Sequence, residues 1–430
     1  MSQSNLLRQR RFLPLFITQF LGALNDNVFK NALVVLLTFK TVEWTTLSPG
    51  ILANMAAGIF ILPFFFFSAS AGQFADKFDK AGIARLVKLL EIVIILLAGA
   101  GFAAHSLTLL MVALFLLGCH STLFGPVKYA ILPEQLRANE LIGGNALIEA
   151  GTFVAILAGT LLGGLLAAVP DGTAWITATS LVIAVAGYGA SRFIPSAPAP
   201  DPQLRLQVNP LAETWHVIGH ARTNRMVFLA ILGISWFWLY GALFLAQFPA
   251  YAKDVLGGNE FAVTALLAVF TIGIGVGSLA CERLSGGRVE LGLVPLGSIG
   301  LTLFGLDVAW ASPAMPPDGS LLGQWVVWHV LIDLLLIGVF GGFFIVPLYT
   351  LMQERSEPSH RARVIAANNI LNACFMVAGA LGAAALLSAG LSIPELFAIG
   401  AVGNAVVALY IYWRAPEFAL RFVAWLAPTK

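Results

Sequence analysis

Charge is what this chain has least of. Asp, Glu, Lys and Arg together make up 11% of its 430 residues, less than half the share usual in a soluble domain. So few charges could not cover the core of a water-exposed protein of this length, which excludes that class. Cysteine is rarer still. Cys119, Cys281 and Cys374 each stand alone inside an apolar stretch, which excludes a disulfide framework and leaves no cysteine metal-ligand spacing. The net charge of +2 gives no basic field for nucleic acid. No nucleophile–base pair, metal cluster or phosphate-binding loop emerges, so neither an enzyme nor a cofactor is expected.

What abounds is apolar: 59% of the residues, with a mean hydropathy of +0.87. Windows of about 20 apolar residues, the length that crosses a bilayer as a helix, recur about twelve times along the chain. The opening Arg8-Gln9-Arg10-Arg11 resembles the start of a signal peptide. The run that follows is too long for one, carries Asp26 and Lys30, and lacks a small-residue cleavage site, so it reads as a retained first span. Alternating the spans with the N-terminus inside puts every Lys and Arg except Lys30, Lys40 and Lys253 on the inner side. This positive-inside bias predicts both termini in the cytoplasm, with Trp44, Trp175, Trp310 and Trp325 near the outer interface.

The longest polar interruption, Pro195 to Arg225, opens with four prolines in eight residues and predicts an extended connector. The expected organisation is a six-helix half over residues 1–195, a cytoplasmic linker over 196–223 and a second six-helix half over 224–430. Within the linker, Leu211, Trp215 and Ile218 suggest a short amphipathic helix on the inner interface. His216 and His220 stand at i, i+4 there; without Glu or Cys support nearby they read as a solvated face, not a metal site.

The halves also look like repeats. Gly125-Pro126-Val127 is read as ending the fourth span, and Ile345-Val346-Pro347 the tenth. Asn145 to Glu149 and Asn368 to Asn372 then open the next spans at an offset of 223 residues. Such parallel repeats place a site at their interface.

The richest motif is Gln19-Phe20-Leu21-Gly22-Ala23-Leu24-Asn25-Asp26-Asn27, followed by Lys30, all inside the first span. Gln19, Gly22, Asp26 and Lys30 share one helix face and need a wet or protein-lined cavity. An ionisable residue at that depth marks a substrate or ion path. Asp26 can bind an ammonium group or take up a proton or sodium ion; the alternative is an internal Asp26–Lys30 ion pair. Glu149 lies beside Gly151, Gly159, Gly163 and Gly164, whose size permits close packing and bending, and reads as a gate or a partner of Lys128. Asn145, Asn368 and Asn372 read as hydrogen-bonding groups lining the facing side. His329 and Asp333 stand at i, i+4 and read as a structural pair, with a proton relay as the alternative. Glu91 and Asp307 read as reaching an interface, and Trp236, Trp238 and Tyr240 as facing lipid or a ligand.

Between the second and third spans, Gly72-Gln73-Phe74-Ala75-Asp76-Lys77-Phe78-Asp79-Lys80 resembles the G-x-x-x-D-[RK]-x-[GD]-[RK] signature of the major facilitator superfamily. A weaker copy, Ser278 to Arg283, follows the eighth span, with Glu282 for the aspartate. Gly72, Asp76, Lys77, Lys80, Glu282 and Arg283 are therefore gating candidates, with Asp76 suited to the positive N-terminal end of a helix in the other half. The resemblance implies an all-α membrane protein of major facilitator fold, with twelve transmembrane helices in two six-helix bundles.

Within that superfamily the chain resembles the lysophospholipid transporters, through Gln19 to Asn27, Pro126 to Leu132 and Asn145 to Ala150. That resemblance implies movement of lysophospholipids, notably lysophosphatidylethanolamine, from the outer to the inner leaflet of the bacterial inner membrane. It also implies a phosphate-binding role for Lys128. The partners implied are the lysophospholipid, membrane lipids and a separate acyltransferase–acyl carrier protein synthetase. Some relatives carry that acyltransferase fused, and Lys30 is closer to their form. Here its H-x-x-x-x-D signature does not occur; His329 to Asp333 has three intervening residues. The alternatives are a proton-coupled transporter of a soluble drug-like or nutrient molecule, and a non-transporting membrane partner of an acyltransferase.

Overall fold

A computed structural model describes residues 3–39, 49–313 and 324–427. Lys40 and Trp44 lie outside the described residues. Helices account for nearly all of the rest: α1 (Leu13–Phe39), α2 (Pro49–Lys77), α3 (Lys80–Ala103), α4 (Leu107–Gln135), α5 (Leu141–Ala168) and α6 (Gly172–Ser191), then a short α7 (Pro210–Thr223). There follow α8 (Arg225–Ala250), α9 (Glu260–Leu284), α10 (Leu293–Ala311), α11 (Trp325–Arg355), α12 (Arg361–Ser388), α13 (Ile393–Arg414) and α14 (Glu417–Leu426). Twelve of them, all but α7 and α14, are long and apolar enough to cross a membrane.

Local chemistry fixes many of the boundaries. Asp79 caps α3 by accepting from the backbone N–H of Ala81 and Gly82, and Ser106, Asn224 and Asn259 cap α4, α8 and α9 in the same way. Ser392 and Glu395 form a reciprocal capping box at α13. Gly286 and Gly287 take positive φ in the turn that follows α9, a conformation that a β-carbon would strain.

Two prolines correct the sequence reading. Pro126 and Pro347, taken there as helix ends, sit inside α4 and α11. A proline removes one backbone hydrogen bond, but helices buried among neighbours tolerate the loss. Lys128 consequently lies two turns inside α4 rather than at its end.

The chain groups into two compact units. The first holds residues 1–137, 154–223 and 356–370; the second holds 138–153, 224–355 and 371–430. Helices α5 and α12, the two repeat copies that open with Asn145 and Asn368, therefore each run from one unit into the other. In the first unit α3 packs on α4 and α6, α1 on α6, and α2 on α4 and α7. Phe29, Leu33, Leu36, Leu114 and Leu117 belong to its apolar cluster. In the second unit α11 packs on α9, α10 and α8, and α13 on α10 and α8. Glycines let backbones meet there: a methyl group at Gly338 would come within 2.7 Å of Ile274 N.

Helix α7 forms in the linker but turns Leu211 and Trp215 outward. Its packed face carries Glu213, Thr214, Val217, Ile218 and Ala221.

Candidate functional site

The polar stripe of α1 turns onto α3 and α4, within the first unit. Asp26, buried with its side chain 12% exposed, accepts a hydrogen bond from Ser121 Oγ and lies 4.0 Å from His120 Nδ1. Its neighbour Asn25 donates from Nδ2 to Glu91 Oε1 at 2.6 Å. Glu91 also receives Lys88 Nζ at 2.5 Å and faces His120 Nε2 at 3.2 Å. Lys88 and Glu91 are both fully buried. Asp26, Glu91, Lys88 and His120 thus form one hydrogen-bonded and charged cluster spanning three helices.

This places Glu91 differently from the sequence reading, which sent it to an interface. It stands in the middle of α3, one turn from Lys88, and the two charges satisfy each other out of water. Lys88, His120 and Ser121 were not singled out as site residues at all. A signal existed: all three are polar groups inside long apolar runs, as Asp26 is.

Lys30, half-buried one turn beyond Asp26, donates from Nζ to Asn27 Oδ1 at 3.1 Å and lies 5.3 Å from the centre of the Phe60 ring. Gln19 is buried on the same helix. A methyl group at Gly22 would meet Lys88 Nζ at 2.6 Å, so glycine there leaves room for the ammonium. Further along α4, half-buried Lys128 lies 4.7 Å from the centre of the Tyr129 ring.

The second unit brings other candidates together. Asn145 on α5 and Gln353 on α11 exchange two amide hydrogen bonds, at 2.6 and 3.0 Å. Glu149, one turn beyond Asn145, is fully buried. Asn372 accepts from Ser235 Oγ at 2.8 Å. Half-buried Trp236 and Trp238 and buried Tyr240 donate to Asn404, Tyr349 and the Leu301 carbonyl respectively. Each polar tip thereby finds a partner inside the helix group. Glu282 is half-buried and Arg283 exposed. Asn368, in the first unit, is fully buried with no hydrogen-bond partner for its amide among the described residues.

The Gly72–Lys80 motif, read as lying between two spans, is the last turns of α2, a two-residue link and the first residue of α3, and it meets the N-terminus of α12. Asp76 accepts from the backbone N–H of Ala362 at 3.2 Å and Arg363 at 3.4 Å, and from Arg363 Nε at 2.9 Å. A methyl group at Gly72 would lie 2.8 Å from Ala366 Cβ, so the approach of α2 to α12 requires glycine. Lys77 donates to the Leu204 carbonyl at 2.7 Å, and Lys80 pairs with Glu134 at 2.7 Å. Burial raises the Asp79 carboxyl, but the Ser196 hydroxyl and the backbone N–H groups of Gly82, Ala197 and Ala81 outweigh it, and the net shift is downward. On α7, burial holds the Glu213 carboxyl above its ordinary range, against the pull of His216 and Arg363.

Comparison with known proteins follows this geometry. The family model described as Major Facilitator Superfamily matches residues 15–380. The lysophospholipid transporter LplT of Klebsiella pneumoniae is 30% identical over 373 residues, covering 85% of each chain. LplT of Salmonella arizonae is 29% identical, over 94% of this chain and 95% of its own. Among solved structures, the major facilitator transporter FucP in an outward conformation is similar with a TM-score of 0.68, at 12% identity over 95% of this chain and 100% of its own. The human organic anion transporter TETRAN gives a TM-score of 0.67 at 17% identity, over 97% and 100%. These structural likenesses carry the fold alone.

Proposed function

Because this chain belongs to the major facilitator superfamily and, within it, to the family of lysophospholipid transporters, we propose that it carries a lysophospholipid across the bacterial inner membrane by alternating access. A zwitterionic or anionic headgroup cannot cross hydrocarbon unaided, whereas a single acyl tail is stable in lipid. The protein therefore has to shelter the headgroup and let the tail trail into the bilayer through a lateral opening. Lysophosphatidylethanolamine moving from the outer to the inner leaflet is the cargo and direction we assign. A separate acyltransferase re-esterifies it on the cytoplasmic side, where both termini lie.

The observation that carries the reading is Asp26: an acidic group in the opening span, kept in a polar cluster with His120 and Ser121 and still reachable at one edge. We assign it the ethanolamine ammonium or the coupling cation, and assign the phosphate to Lys128. Asn25, Asn27, Lys30, Gln19, Asn145, Asn368 and Asn372 supply further polar contacts along the path, and Glu149 gates it. In this reading residues 1–195 and 224–430 are the two moving halves, 196–223 links them, and Gly72, Asp76, Lys77, Lys80, Glu282 and Arg283 latch the cytoplasmic ends.

The test is reconstitution into vesicles carrying fluorescent lysophosphatidylethanolamine in one leaflet. Transfer to the other leaflet is expected, slowed at least tenfold by Asp26→Asn and by Lys128→Ala. Transport of soluble solutes without lipid transfer would replace the reading with the soluble-cargo alternative. Lipid transfer insensitive to Asp26→Asn, Lys128→Ala and Glu149→Gln would remove the site assignment and leave the cargo standing.

A further inference from the structure

The second unit contains a group of side chains that the transport reading does not use. Asp307, near the C-terminal end of α10, and His329 and Asp333, on the first turns of α11, converge so that one ligand atom from each lies within 4.8 Å of the other two. His329 Nε2 is 3.2 Å from Asp307 Oδ2 and 3.5 Å from Asp333 Oδ2. An imidazole nitrogen offers at most one hydrogen, so it cannot satisfy both carboxylates. Asp333 is 2% exposed, and its Oδ2 has no hydrogen-bond partner among the described residues. Among the described residues no lysine or arginine is paired with either acid. Nε2 can serve Asp307, which leaves buried Asp333 Oδ2 aimed into the group with no lysine or arginine to neutralise it among the described residues.

The two separations from His329, 3.2 and 3.5 Å, are close to the ones a small divalent cation produces. Metal–ligand bonds of about 2.0–2.2 Å in a tetrahedral arrangement set neighbouring ligands roughly 3.3–3.6 Å apart. Two carboxylates and a neutral imidazole also carry the charge that one divalent cation cancels. The donor set, one nitrogen and two carboxylate oxygens, suits zinc among the common divalent ions and leaves a coordination position for water. His329 and Asp307 are each about one-third exposed, which leaves an entry route. We propose that Asp307, His329 and Asp333 form a zinc-type divalent metal site that ties α10 to α11.

A second group, His220, Glu357 and His360, likewise brings one ligand atom from each within 4.8 Å of the other two. Its rings are stacked with centroids 4.2 Å apart, its carboxylate is largely exposed to water and His360 Nδ1 is hydrogen-bonded with Ser359, so its donors are already satisfied. It serves as the internal control.

The experiment is titration of the purified full-length protein in detergent with Zn²⁺ by calorimetry, and with Co²⁺ by visible absorption. One equivalent of Zn²⁺ is expected to bind. Affinity should fall at least tenfold in His329→Ala, Asp307→Asn and Asp333→Asn, and stay unchanged in His220→Ala. His329→Cys keeps a ligand at the same place and should add a thiolate-to-cobalt charge-transfer band, a signal that a purely structural role cannot give. The absence of saturable binding in the native protein would overturn the proposal. So would equal affinity in folded His329→Ala and Asp333→Asn proteins, or a His329→Cys spectrum without the new band.

Discussion

Arg363 Nε donates to Asp76 Oδ2 at 2.9 Å while the first backbone N–H groups of α12 point at the same carboxylate. The carboxylate thus serves as counter-ion and helix cap at once: it satisfies N–H groups that have no partner within the helix and faces the positive end of the helix dipole. Both side chains are almost completely buried. Removing one member of such a pair strands the other's charge out of water, which costs about 3–5 kcal/mol. Asp76→Asn and Arg363→Ala should therefore each lower the unfolding free energy by about 3 kcal/mol, read by chemical denaturation in detergent. The double variant should lose clearly less than the sum of the two. Strict additivity would show that the two groups do not depend on each other.

The same argument applies with more force to Lys88 and Glu91, where both partners are fully buried inside one helix. Glu91→Gln leaves the Lys88 ammonium beside Gly22, Gly187 and the Phe124 ring without its paired acid, and should cost about 3–5 kcal/mol. Replacing both, as in Lys88→Met with Glu91→Leu, removes the two charges together and should recover much of that loss. Thermal unfolding of the native protein and the two variants side by side checks this. A double variant less stable than Glu91→Gln would mean that the remaining polar groups, His120 and Asn25, depend on the pair.

These two ion pairs also show what the sequence discloses. Helix number and type follow from long apolar runs, because the bilayer length leaves few other readings. Asp76 stands out because its motif is local: a glycine, an acid and alternating cations within nine residues. Arg363 does not, because its place depends on how α2 meets α12, and nothing in a run of alanines and asparagines specifies that register. Glu91 was misread for the same reason. Its distance from a helix end was judged along the chain, whereas burial is decided by the face that meets α1 and α4. Applying to Lys88, Glu91 and His120 the rule that singled out Asp26 would have found the cluster. It would not have shown which of them touch.

Asp79 carries a pH dependence whose sign follows from its shift. Its carboxyl titrates below the ordinary carboxylate value in the folded protein, since Ser196 and three backbone N–H groups prefer the ionised form. A lowered folded-state value means stability that is present above the unfolded value, about 4, and lost as pH falls through the lower folded one. Asp79→Ala should cost about 1 kcal/mol near neutrality, as for other lost caps. The difference from the native protein should hold down to about pH 5 and shrink below about pH 4. Denaturation curves at pH 7, 5 and 3 test it; a difference that grows on acidification would contradict the assigned sign.

Two glycines on α5, five residues apart, separate packing from flexibility. A methyl group at Gly159 would meet the Leu24 carbonyl oxygen at 2.6 Å and Asn27 Cβ at 2.8 Å, so α1 would have to move. At Gly164 the same methyl group meets nothing within 4 Å. Glycine in a helix interior costs about 1 kcal/mol relative to alanine, so Gly164→Ala should be neutral or stabilising by up to that amount. Gly159→Ala gains the same helix preference but overpacks the contact, a cost of about 1–3 kcal/mol, and should be the less stable of the two. The displaced atoms belong to the segment that carries Asn25, Asp26 and Asn27, so Gly159→Ala should also slow lipid transfer while Gly164→Ala leaves it unchanged. If bending of α5 were the reason for both glycines, the two variants would slow transfer alike. If close approach is the reason, only Gly159→Ala does so.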